Sequence, residues 1–130
     1  MPVLPWTRLA DPEPGRDYVV LASRLPLRRY RNIPAFLHAS RAVRAQLAAT
    51  KGVLGYSLDA KPIAKTFWTL SAWEDEETLR RFSQADPHWS QITDIRPYML
   101  ASTFVQWTVA GSELPPKWTD ARRRVAASWA

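Results

Sequence analysis

The chain has no cysteine, only two histidines and only four glycines in 130 residues. Without cysteine there is no disulfide scaffold, no zinc–thiolate site and no thiol nucleophile. So few glycines leave little material for a phosphate-cradling loop. No GxSxG, HExxH or paired His–carboxylate spacing occurs either, which excludes a flavin or nicotinamide domain and the common hydrolase signatures. Long apolar runs are also missing: none approaches the roughly 18–20 residues that span a bilayer. The opening "MPVLPWTRLADPEPG" carries four prolines and no apolar signal core, so the expectation is a soluble cytoplasmic protein that does not engage membranes.

What is present is enough for one core. Hydrophobic residues make up 46% of the chain, and seven of them are tryptophan. A domain of this size buries only about two-thirds of its chain surface. Some of the indoles are therefore expected in a pocket or at a subunit contact. Net charge is +6, but the basic residues are scattered through "RLPLRRYR" (24–31), single helix positions and "RRR" (122–124). That scatter reads as solvated faces, and no nucleic-acid partner is expected.

Periodicity supplies the fold class. Residues 1–16 form a proline-rich arm expected to be extended. Apolar β-branched "YVVLASRL" (18–25), "VLGYSLDA" (53–60), "TFWTLSAW" (66–73) and "STFVQWTV" (102–109) read as strands. In the third of these, Phe67, Thr69, Ser71 and Trp73 share one face, and Thr66, Trp68, Leu70 and Ala72 the other. Trp68 and Trp73 must therefore look in opposite directions.

Between the first two strands lies a helix with Asn32 as cap, Pro34 in its first turn and Gly52 as stop. Phe36, Ser40, Val43 and Leu47 make one narrow stripe along it, and His38 leans away. "EDEETLRRFSQAD" is a helix with acids at its dipole-favoured start. Pro87 breaks it and begins another, "PHWSQITDIRPYM", on which His88, Ile92, Ile95 and Met99 align. "TDARRRVAASWA" is a capped terminal helix expected to fray.

The order β-α-β-β-α-β is the ferredoxin-like α+β arrangement: an antiparallel sheet with helices on one face, spanning 17–110, with a C-terminal helical extension at 111–130. Its second face would be bare. Two subunits packing sheet to sheet would cover it, which predicts a homodimer.

Few side chains can do proton chemistry. His88 either packs behind the helix start made by Pro87 or serves as a general base at an imidazole pKa of about 6.5. One histidine without clustered carboxylates is a poor metal site, so no metal is expected. Arg96 either pairs with nearby acids or binds an oxyanion.

The stretch "FWTLSAWEDEETLRRFSQADPHW" has a strand ending in Trp-Glu, an acidic helix start, a late Phe and a His opening the next turn. With Ser71-Ala72-Trp73-Glu74 and Trp107-Thr108-Val109, it resembles the dimeric α+β barrel superfamily. It is most similar to antibiotic biosynthesis monooxygenase-like proteins, over about residues 17–110. Spheroidene monooxygenase-like and related uncharacterised families share the general pattern.

The resemblance implies a cofactor-independent monooxygenase of secondary metabolism. Such an enzyme ionises a small aromatic, polyketide-type molecule in a pocket between sheet and helices. It places His88 as base, with Arg96 or Tyr98 at the oxyanion. Trp68, Trp73, Trp107, Phe36, Tyr56 and Trp89 would bind the substrate. Heme-degrading members use an Asn on the first strand, absent from "YVVLASRL", and a Trp where Phe82 stands. Heme with His88 as axial ligand is the minor alternative, and a non-catalytic binding or dimerisation module is the other.

Overall fold

Alternation in the β-branched and aromatic runs produces a five-stranded, wholly antiparallel sheet in the computed structural model, which describes residues 5–128. The strands are β1 (Thr7–Arg8), β2 (Asp17–Pro26), β3 (Val53–Lys61), β4 (Thr66–Trp73) and β5 (Thr103–Ala110), in the spatial order β1-β3-β4-β2-β5. Helices α1 (Ile33–Ala49), α2 (Glu76–Gln84) and α3 (His88–Ile95) follow the split βαβ order, and α4 (Trp118–Ala127) ends the chain.

The two-residue side-chain period sorts the sheet into two faces. In register, Leu21 lies opposite Ser71, Ser23 opposite Thr69 and Leu25 opposite Phe67. These residues share the face under α1–α3. Two apolar clusters form there: Phe36, Phe67, Ile95 and Met99 at one end, and Leu47, Trp73, Leu79 and Phe82 at the other. The stripe read from α1 is the one that faces the sheet, because Phe36 and Leu47 are buried in these clusters and Val43 packs against the second.

Four expectations are corrected. The N-terminal arm is not simply extended: Thr7 and Arg8 pair with Tyr56 and Gly55 and add β1 to the sheet. A two-residue strand has no periodicity to read. Residues 1–4 of that arm lie outside the described residues. The approach depends on a missing side chain, since a Cβ on Gly55 would sit 2.5 Å from the Trp6 indole and 2.6 Å from the Thr7 carbonyl oxygen. Gly55→Ala is therefore expected to push β1 off the sheet at a cost of about 1–3 kcal/mol. A fall in the urea midpoint with a shifted tryptophan emission would register it.

Second, the helix read through Met99 stops at Ile95, and Arg96–Tyr98 tightens into a 3-10 turn. Pro97 has no N–H to continue the helix, and its ring crowds the carbonyl four residues back. Third, Asn32 does not cap α1 with its side chain. Its Oδ1 accepts instead from the Arg29 N–H at 3.1 Å, closing the preceding turn.

The fourth correction concerns the second face, which is not bare. Helix α4 lies across it, and Ala121 and Val125 are completely buried against Tyr18, Val20, Ala22, Leu70 and Ala72. Trp6, Trp107 and Trp118 pack around this cluster. No side-chain cap holds the helix start at Lys117, contrary to expectation. Packing and charge hold it.

Arg122 forms an ion pair with Asp59, which is fully buried. The Arg122 guanidinium lies 5.4 Å from the Trp68 ring and 5.0 Å from the Trp118 ring, and Arg124 lies 4.6 Å from the Trp107 ring. The "RRR" run is thus in part a docking surface. The uncovered sheet that motivated a homodimer is closed by the chain itself.

Candidate active site

Between α1–α3 and the sheet lies an open cleft of about 1190 Å³, somewhat larger than the usual small-molecule site. One end is closed by Phe36 stacked on Phe67 at 4.3 Å. Towards the other end Trp73 meets Phe82 at 5.0 Å. The cleft opens along edge strand β5, where Phe104 and Gln106 line it yet remain exposed because no helix covers them. Its walls are mostly aliphatic and aromatic.

His88 lines this cleft, half-buried at the first turn of α3. Asp86–Pro87 separates α2 from α3 and brings the imidazole back against the end of α2, 5.2 Å from the Phe82 ring. Its backbone N–H donates to Gln46 Oε1 of α1 at 2.8 Å. Its Nδ1 lies 3.0 Å from the Ser83 carbonyl oxygen. A carbonyl can only accept, so the neutral ring carries its proton on Nδ1 and leaves a lone pair on Nε2. Burial pushes the imidazole pKa below its ordinary 6.5, and the Ser83 carbonyl partly opposes the shift. Burial therefore favours the neutral ring.

The same depression makes the folded protein sensitive to acid. The unfolded chain takes up the His88 proton more readily, so this contribution to stability is intact above about pH 6.5 and is lost as pH falls through the folded pKa. The urea midpoint is expected to drop across that window in the wild type and to drop less in His88→Gln.

The structure brings together six of the nine residues singled out from sequence: Phe36, Tyr56, Trp73, His88, Trp89 and Arg96 all line the cleft. Trp73 is buried at its floor, donating Nε1–H to Ser71 Oγ at 2.8 Å, and Trp89 stands exposed at the mouth. Trp68 and Trp107 lie on the opposite face, under α4. Tyr98 is exposed on the 3-10 turn, outside the cleft lining. His38 is exposed, as its phase on α1 implied.

Arg96 makes no ion pair among the described residues, neither with Asp94 nor with the acidic start of α2. Sequence reading missed Arg44, a second cleft arginine without an ion pair among the described residues. Its spacing of four from Ser40 was the available signal. Glu76, also on the cleft, accepts from Gln106 Nε2 at 2.6 Å and ties α2 to β5. No group of three metal-ligating side chains occurs among the described residues.

No family model matches the chain, and none of the curated proteins does. Solved structures do. SnoaB, a cofactor-independent oxygenase from Streptomyces nogalater, aligns with a TM-score of 0.58 at 16% identity, covering 78% of this chain and 100% of that one. An antibiotic biosynthesis monooxygenase aligns at 0.63 and 14%, covering 68% and 95% respectively. A conserved protein from Methanosarcina mazei aligns at 0.63 and 10%, covering 69% and 90%. All three lie far below the identity at which activity transfers with structure, so the likeness is one of architecture. The chain has the fold of the antibiotic biosynthesis monooxygenase-like proteins.

Proposed function

We propose that the protein is a cofactor-independent monooxygenase that ionises a small aromatic, polyketide-type molecule in the cleft. The observation that carries this reading is the His88 tautomer: Nδ1 engaged by the Ser83 carbonyl, Nε2 left as a base on an apolar cleft. A neutral imidazole beside a desolvated ring is matched to removing a weakly acidic proton near neutral pH.

Nε2 takes the substrate proton, and Arg96, helped by Arg44, offsets the developing oxyanion. Tyr98, off the cleft, has no part in this scheme. Phe36, Tyr56, Trp73 and Trp89 bound the ring system. Trp68 and Trp107 belong to the docking of α4.

The substrate anion then gives electrons to dioxygen directly. With an anthrone, the methylene C–H bonds are the reductant. One oxygen atom ends as the new carbonyl and the other as water, so no external electron donor is needed. The printed description of SnoaB as a cofactor-independent oxygenase supports the scheme at the level of fold. All the groups invoked come from one chain. A homodimer pairing through the second face would require α4 to leave it. No helix among the described residues is long and apolar enough to cross a membrane, and we place the activity in the cytoplasm.

The test is oxygen uptake by purified protein with a panel of anthrones and naphthols, without added flavin or metal. Uptake matched by quinone formation is the expected result. Binding without turnover across the panel would instead assign a ligand-binding module. A Soret band appearing with heme and lost in His88→Ala would assign the heme alternative.

A further inference from the structure

The floor of the cleft is not uniformly apolar. Ser23 on β2 and Thr69 on β4 are register partners and hydrogen-bond each other through their hydroxyls. Ser71, two residues further along β4, accepts the Trp73 indole N–H at 2.8 Å. All three line the cleft, and Ser23 and Ser71 are buried.

The proton count decides what they can do. Each hydroxyl has one proton to donate. The Ser23–Thr69 pair uses one of its two between its members, leaving one over. Ser71 is used only as an acceptor, so its own proton is also over. Neither leftover proton has an acceptor among the described residues. Two unspent O–H donors therefore point to ligand, and positions two apart on a strand hold them about 7 Å from each other. A site built from buried donors penalises any occupant that cannot accept from them, because binding strips their access to water.

We propose that Ser23, Thr69 and Ser71 determine specificity: they select flat multi-ring molecules that carry acceptor oxygens, carbonyl or phenolic, along one edge. The inference rests on the cleft being the substrate site, as proposed above, and deepens that reading. With its oxygens on the sheet floor, the ring lies between the floor and His88 on α3, so the same residues orient the ionisable position.

The probe pair is 1,8-dihydroxyanthraquinone and anthracene, equal in ring count and differing in the oxygens, three of which lie along one edge of the quinone. Binding is read by quenching of tryptophan emission, without turnover. Wild type is expected to prefer the quinone by roughly tenfold or more per engaged donor. The double variant S23A/T69V and, separately, Ser71→Ala should each lose about tenfold of that preference while anthracene binding stays unchanged.

Ser71→Ala also strips the buried Trp73 indole of its acceptor. The S23A/T69V protein touches no tryptophan hydrogen bond and keeps the test decisive. A preference that persists in both variants, or is absent in wild type, overturns the proposal. Preference without oxygen uptake on the anthrone panel leaves the selective floor standing and removes only the monooxygenase assignment.

Discussion

His88→Gln is expected to lower kcat on an anthrone-type substrate by about 10²–10⁴-fold, with KM changed only a few-fold. The amide fills a similar volume and can still meet the Ser83 carbonyl, but it has no basic nitrogen to present to the cleft. The wild-type kcat/KM should fall on the acid side as the ring protonates. Because burial depresses the imidazole pKa, that limb should lie below pH 6.5. In the variant the limb should vanish. A variant that turns over at the wild-type rate would remove His88 from the chemistry and leave it a packing residue between α2 and α3.

Arg122→Met is expected to destabilise the protein by about 3–5 kcal/mol, because it leaves the fully buried Asp59 carboxylate facing only Lys61 at 3.5 Å. For a domain of this size that corresponds to a fall in Tm on the order of 10–20 °C. The charge is the issue more than the lost contact. The double variant D59L/R122M removes both ions and refills the space between Trp68 and Trp118 with apolar atoms, and it should recover most or all of the loss. Thermal unfolding of the single and double variants decides this. If the two are equally unstable, the cation's stacking on the indoles matters more than neutralisation of Asp59.

The pair also shows where sequence reading ends. The face assignment of β4 was legible because a strand's period of two is independent of its surroundings, and it separated Trp73 from Trp68 correctly. The α1 stripe was legible for the same reason, at the helical period. Tyr98 leaves the cleft because Pro97 replaces a helical turn by a tighter one at Arg96–Tyr98, while Met99 keeps the cleft face. Helix α4 reads from sequence as a fraying extension, and its three consecutive arginines read as solvated. Arg122 stacks on Trp68 and Arg124 on Trp107, partners 54 and 17 positions away in sequence. The hydroxyl floor was hidden for another reason: Ser and Thr inside an alternating strand carry no signal until strand register pairs Ser23 with Thr69.

The closure of the second face by α4 has a consequence for mass action. The helix is tethered to the end of β5 by the short 111–117 link, so it meets the sheet at an effective concentration in the millimolar range or above. A second copy of the chain meets the same surface only at whatever concentration the solution provides. The cover therefore forms equally well on a single molecule at any dilution, and closing this face does not require a second copy of the chain.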